Sequence, residues 1–198
     1  MQNGGIPKFL LTMCIEEGER SRSHGLSLSI LQAQSLSLGI PLLTINTSWT
    51  NYRDNFIRGI RDLKERDSSI TQGVFGDIDI ETNGQWERDA CREAGVEAYL
   101  PLWKMERQSI LREFLRTDFK AMIIAIDSTK LNPQYLGRVI DEKLIKEFEI
   151  NGIDPCGENG EYHSIVFEGP MLKFPLCLEQ GAIKMQTGYY FLDVKLAN

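Results

Sequence analysis

No apolar run in this chain approaches the ~18 residues that a membrane-spanning helix requires, so no segment reads as a membrane span. The segment Met1-Gln2-Asn3-Gly4-Gly5 lacks the basic start and the apolar stretch of a secretion signal. Basic charge is not in excess either: the formal net charge is −6, which argues against a nucleic-acid partner gripped by a basic footprint. Cysteine is sparse and scattered. Cys14, Cys91, Cys156 and Cys177 form no CxxC pair, which argues against a disulfide framework and a structural zinc site and suits reduced thiols in a cytoplasmic protein. Histidine occurs only twice, as His24 and His163. The rest is ordinary globular material, 198 residues with 42% hydrophobic and 25% charged side chains, enough for one good core. There is no internal repeat and no low-complexity segment.

Short apolar runs alternate with helical stripes. Phe9–Met13, Pro41–Ile45, Thr71–Gly76 and Glu97–Leu100 read as strands, and Ala121–Ile126 is apolar without alternation, as in a strand covered on both faces. Leu28, Leu31, Ser35 and Leu38 lie at helical spacing, and Gly39-Ile40-Pro41 stops that helix. Phe56/Ile60/Leu63, the segment Gln85–Ala94, Ile110/Leu111/Phe114/Leu115 and Ile140/Leu144/Ile145/Phe148 mark four more helices. This alternation predicts an α/β fold with a doubly wound, mostly parallel sheet over residues 1–150. Beyond Gly152 the helical stripes vanish. The runs Tyr162–Phe167 and Ala182–Leu196 predict a small β-rich C-terminal extension over residues 151–198.

Ligands of open α/β sheets bind beyond the carboxyl ends of the strands, and the polar clusters of this chain fall there. After the first strand comes Glu19-Arg20-Ser21-Arg22-Ser23-His24-Gly25, whose composition suits a phosphate or carboxylate and equally suits a surface loop. After the third comes Gly76-Asp77-Ile78-Asp79, where the aspartates suit Mg²⁺, a cationic substrate group, or plain capping and turn duty. Pro101-Leu102-Trp103-Lys104 follows the fourth, with Trp103 readable as core or as a stacking platform. The densest cluster is Asp154-Pro155-Cys156-Gly157-Glu158-Asn159-Gly160-Glu161-Tyr162-His163, directly ahead of Ser164-Ile165-Val166-Phe167. Gly157 and Gly160 permit positive φ and close backbone approach, so Glu158 and Glu161 can be aimed at one point. The plain alternative is a solvated turn before an edge strand. A metal site of Cys156, Glu158, Glu161 and His163 would match no standard zinc spacing.

Taken in order, Leu11-Thr12-Met13, the Arg22–His24 loop, Gly76-Asp77-Ile78-Asp79, Pro101-Leu102-Trp103 and the Gly157-Glu158-Asn159-Gly160-Glu161-Tyr162 element resemble the diphthine–ammonia ligase family. That family lies within the ATP-pyrophosphatase group of adenine nucleotide alpha hydrolases, and the likeness covers about residues 8 to 170. The Arg-Ser-His-Gly form is closer to prokaryotic relatives than to the eukaryotic enzymes. The resemblance implies ATP-dependent amidation with Mg²⁺. A carboxylate, of a small molecule or a protein side chain, attacks the α-phosphate, and ammonia then displaces AMP from the acyl-adenylate. It implies adenine near Leu11, Thr12 and Met13, with Gly76 and Asp77 beside the nucleotide. Glu158 and Glu161 would face the acyl acceptor or ammonium as catalytic carboxylates. Arg22, His24, Gly157, Gly160, Tyr162 and His163 would line the substrate side. Homo-oligomerisation stays open.

One family element is missing. The Ser-Gly-Gly-x-Asp-Ser loop, whose backbone N–H groups grip pyrophosphate, does not occur in this sequence. Asn3-Gly4-Gly5-Ile6-Pro7 stands too close to the first strand to be that loop. The expectation is therefore a longer natural chain or a fragment, with weak nucleotide binding and little turnover as written. The alternative is a non-catalytic module that keeps the cleft for a nucleotide or a partner.

Overall fold

The computed structural model describes residues 4–197; Asn3 of the Asn3–Pro7 segment lies outside them. In chain order the first elements are β1 (Leu10–Cys14), α1 (Leu28–Leu38), β2 (Leu42–Asn46), α2 (Tyr52–Arg66), β3 (Gln72–Val74), α3 (Glu81–Ala94) and β4 (Glu97–Tyr99). They are followed by α4 (Arg107–Arg116), β5 (Lys120–Asp127), α5 (Glu142–Ile150), β6 (Tyr162–Glu168), β7 (Leu178–Gln186) and β8 (Tyr189–Leu196). No helix among the described residues is long and apolar enough to cross a membrane.

Two compact units divide the chain. The first takes the residues up to Arg22 together with Gly39–Met105, and the second takes Ser23–Leu38 with the residues from Glu106 onward. In the first unit β1 pairs in parallel with β2 (Leu10 opposite Leu42) and β3 in parallel with β4 (Gln72 opposite Glu97). Phe56, Ile57 and Ile60 of α2 and Ala90, Cys91 and Ala94 of α3 interlock with Met13 and Val96 in one core. The i, i+3/i+4 spacing of these residues is what makes both helices amphipathic. Gly95 ends α3 in the left-handed region (φ 79°), returning its N–H to the carbonyls of Arg92 and Cys91.

The second unit is built on an antiparallel sheet in the order β6-β5-β8-β7. All six residues Ala121–Ile126 of β5 are buried. On one face Ile123, Ile126 and Tyr162 pack against Leu144 and Phe148 of α5. Helix α1 belongs here: Gln34 Nε2 donates to the Val166 carbonyl (3.0 Å), and the Phe174 N–H donates to Ser37 Oγ (3.3 Å).

The α/β class is therefore observed, with a correction. Among the described residues parallel pairing is confined to two short pairs, and β5, expected inside a parallel sheet, pairs antiparallel with both β6 and β8. An unalternating apolar run reports burial on both faces and carries no information about the direction of its neighbours. The boundary drawn at residue 150 followed the loss of helical stripes, whereas the contacts group residues 106–150 with the C-terminal strands.

Candidate functional site

The Gly-Glu loop is organised by Asp154, whose side chain is only 8% exposed. Its carboxylate accepts the N–H groups of Cys156 (3.1 Å) and Glu158 (2.9 Å) and pairs with Arg107 of α4 at 2.5 Å. Gly157 (φ 71°) and Gly160 (φ 79°) take the left-handed turns that fold the loop back on itself. At Gly157 the need is also steric, because a Cβ there would lie 3.0 Å from the Tyr162 ring and 3.1 Å from its carbonyl oxygen. The Tyr162 hydroxyl donates to the Pro155 carbonyl at 2.6 Å and its ring packs on Phe148.

Strand alternation then separates the residues at the loop exit. Tyr162 points into the core, and His163, the next residue of β6, turns to the opposite face. Tyr162, expected on the substrate side, is thus a buried lock for the loop, and burial holds its phenol well above the usual range. Glu161 is 7% exposed; Asn159 Nδ2 donates to its Oε1 at 3.3 Å, and its Oε2 has no hydrogen-bond partner. A buried carboxylate oxygen without a donor is costly.

His163 meets the chain's other histidine, His24, with ring centroids 4.8 Å apart. Tyr189 stacks with His163 at 6.1 Å, and its hydroxyl donates to the Gly160 carbonyl at 3.4 Å. Desolvation, with a contribution from His24, lowers the His163 pKa to about 4, and desolvation lowers that of His24. Both imidazoles are therefore neutral near pH 7. Lys130 closes the same loop, donating to the Asn159 carbonyl at 2.5 Å. Glu158 is half-buried and fixed through its backbone. Cys156 is half-buried with its thiol 3.6 Å from the Arg107 carbonyl oxygen. Among the described residues no group of three or more His, Cys, Asp or Glu side chains is placed to hold a metal ion, Cys156, Glu158, Glu161 and His163 included.

The remaining expected residues lie in the first unit. The parity of the β1–β2 pairing turns the backbone of Leu10, Thr12 and Cys14 toward β2 and that of Leu11 and Met13 toward the opposite edge. On that edge the Met13 carbonyl accepts the Arg22 N–H at 2.9 Å. Arg22, its side chain 8% exposed, pairs with Glu16 at 2.9 Å, donates to the Thr47 carbonyl and lies 5.1 Å from the Trp49 ring centre. Its Nε is buried without a partner. Gly76 has open space around it, so no close approach explains that glycine. Asp77 is held by Asn83 Nδ2 at 3.0 Å. Trp103 lies against Gly84 of α3, with the Arg88 guanidinium 4.6 Å from its ring centre, and is packing rather than platform.

Fold and site together define a two-unit α/β protein that carries a buried, half-satisfied carboxylate on a Gly-Glu loop at the mouth of an antiparallel sheet. Residues 6–98 match the diphthamide synthase N-terminal domain and residues 106–198 the diphthamide synthase C-terminal domain. The chain belongs to the diphthamide synthase family. It is similar to the diphthine–ammonia ligase of Homo sapiens, 26% identical over 110 residues that make up 54% of this chain and 41% of the human protein. The Schizosaccharomyces pombe diphthine–ammonia ligase is 29% identical over 91 residues, 43% of this chain and 14% of that protein. The Danio rerio protein of the same name is 23% identical over 95 residues, 46% and 37% of the two chains. In each case the matched stretch spans less than half of the relative's length.

Proposed function

We propose that this chain is an ATP-dependent amide-forming ligase of the diphthine–ammonia ligase type, converting a carboxylate, ammonia and ATP into an amide, AMP and pyrophosphate in the cytoplasm. The observation that carries the reading is Glu161 Oε2: a buried carboxylate oxygen with no donor, two residues ahead of neutral His163. Ammonium supplies the missing N–H. Glu161 balances its charge, and a carboxylate or a neutral imidazole of the His24–His163 pair takes the proton that leaves when NH₄⁺ becomes the NH₃ nucleophile. Glu158 lies on the same loop and faces the acyl group.

In the first unit the outward N–H and C=O of Leu11 take the adenine edge, and Asp77 stands beside the nucleotide. The parallel pairs β1–β2 and β3–β4, packed on the same helices α2 and α3, are read as parts of one doubly wound nucleotide-binding sheet. Mg²⁺ travels with the ATP phosphates, and no protein ligand is assigned to it. The acceptor is a small acid or a protein side chain, diphthine being the one that the relatives' name suggests. The four free cysteines suit a reducing compartment.

The contrary reading is a module that binds nucleotide or partner without turnover. One assay separates them. The protein is incubated with Mg²⁺-ATP, ¹⁵N-ammonium and a diphthine-bearing elongation factor, and ¹⁵N incorporation and AMP release are followed. The ligase reading expects incorporation matched by AMP, slowed about 10²–10⁴-fold in Glu161→Gln. ATP binding without AMP release, unchanged in Glu161→Gln, would establish the module instead.

A further inference from the structure

Strand β7 is the outer strand of the β6-β5-β8-β7 sheet, and among the described residues only β8 pairs with it. Every residue from Glu179 to Gln186 is exposed, Ile183 at 49% and Met185 at 62%. The direction of each backbone group follows from the pairing. The Cys177 carbonyl accepts the Ala197 N–H at 2.8 Å, so by alternation Glu179 bonds toward β8 while Leu178 and Gln180 bond away from it. At the other end the turn at Thr187 and Gly188 makes Gln186–Tyr189 the hydrogen-bonded closing pair, so Lys184 bonds inward and Ile183 and Met185 outward. The register shift between Gln180 and Ile183 inserts one residue, which keeps Leu178, Gln180, Ile183 and Met185 on one edge and one face. Gly181 stands at this bulge because a Cβ there would lie 2.9 Å from the Asp193 carbonyl oxygen.

We propose that this free edge pairs antiparallel with β7 of a second copy of the chain, about a two-fold axis that passes between Gly181 and Ala182. Self-complementarity selects that occupant. With bulge set against bulge, Leu178 falls opposite Met185 of the second copy and Gln180 opposite Ile183 of the second copy, outward-bonding residues all four. Glu179 then falls opposite Lys184 of the second copy, and the axis makes that ion pair twice. These are the non-hydrogen-bonded positions, where cross-strand side chains come closest. Lys195, opposite Glu179 in β8, extends the row with alternating charge. A slip of one residue would set outward amides against inward ones, and a slip of two would set a bulge against regular strand. A lysine and a bulge also serve to guard the edge of a monomer; the match between Glu179 and Lys184 is what favours pairing here. The contact is a single strand pair, in the small and reversible class of interfaces below about 1,200 Å². In the joined sheet β6 stays at the far end of each copy, so the Gly-Glu loop that leads into it is left open.

Sedimentation velocity of the full chain over about 1–500 µM reads the association. The wild type should pass from monomer to dimer as concentration rises. Glu179→Lys and Lys184→Glu each place two like-charge pairs across the axis and should weaken the dimer about tenfold. The double variant Glu179→Lys/Lys184→Glu restores opposite charges and should return to within about threefold of the wild type. Both positions are exposed, so the fold is kept. Amide hydrogen exchange gives a second readout: the Ile183 and Met185 N–H groups should slow with concentration, whereas that of Lys184, already bonded to β8, should change least. A wild type that stays monomeric throughout overturns the inference and leaves the lysine and the bulge as guards of a free edge. A dimer that ignores both single changes, or that the double variant fails to restore, overturns it as well, because its contact then lies elsewhere or in another register.

Discussion

Gly152 and Gly157 provide an internal control for how the Gly-Glu loop is held. Both take the left-handed region, with φ of 68° and 71°. A Cβ at Gly152 would meet nothing within 4 Å, whereas at Gly157 it would press on the Tyr162 ring at 3.0 Å and on the Tyr162 carbonyl oxygen at 3.1 Å. Replacing either with alanine incurs the left-handed penalty of about 1–2 kcal/mol. Gly157→Ala adds an overpacking cost of about 1–3 kcal/mol, because backbone and a locked ring are poor at giving way. The expected totals are about 1–2 kcal/mol for Gly152→Ala and about 2–5 kcal/mol for Gly157→Ala. At about 2–4 °C per kcal/mol for a chain of this size, Gly157→Ala should lower Tm by about 4–20 °C and Gly152→Ala by about 2–8 °C. Differential scanning calorimetry of both variants at pH 7 reads the difference directly. Equal Tm values, or Gly157→Ala the more stable of the two, would refute the claim that the Tyr162 ring sets the path of the loop.

Two further predictions concern the same loop. His163 has a folded-state pKa depressed to about 4 from an ordinary 6.5, so the stability it contributes is complete above pH 6.5 and is lost as pH falls through about 4. His163→Gln should flatten that acid limb by about 1–3 kcal/mol, read from urea midpoints at pH 7 and pH 4. Asp154→Ala strips the Arg107 pair and leaves the Cys156 and Glu158 N–H groups without their acceptor. It should cost about 3 kcal/mol and raise amide hydrogen exchange across residues 155–161, whereas unchanged exchange there would show that Asp154 does not organise the loop.

The helices and most strands were legible because their apolar residues repeat with the period of the element. Phe56, Ile60 and Leu63 mark the buried face of α2 in the sequence and occupy it in the structure. Period, however, names a face and not its partner. The stripe of α1 reads as one more layer of a parallel sheet, yet the helix docks on Val166 and Phe174. The run Ala182–Leu196 is not one strand: β7 and β8 turn about Thr187 and Gly188, with φ of 49° and 83°. A threonine in the left-handed region gives none of the usual Asn-Gly or Asp-Gly signal for such a turn.

The site shows the same limit. Gly157, Glu161 and His163 stand out as a local cluster, but the pairing of His24 with His163 joins distant segments and follows only from the way α1 leads into the second unit. Asp154 sits within the conspicuous motif, and its organising role depends on Arg107, 47 residues earlier.

The second unit is discontinuous in sequence, since the stretch Ser23–Leu38 belongs to it while the residues on either side belong to the first. During synthesis α1 emerges long before its seat exists, because Ser37 bonds to Phe174, 137 residues later. At roughly 5–20 residues per second, that separation leaves the helix without its partner for about 7–30 seconds. Through this interval β1 is free to meet β2 across a loop that carries an unsatisfied apolar face. Ile30 and Leu31, both buried in the finished protein, therefore stay open to water on the newborn chain until the C-terminal strands arrive.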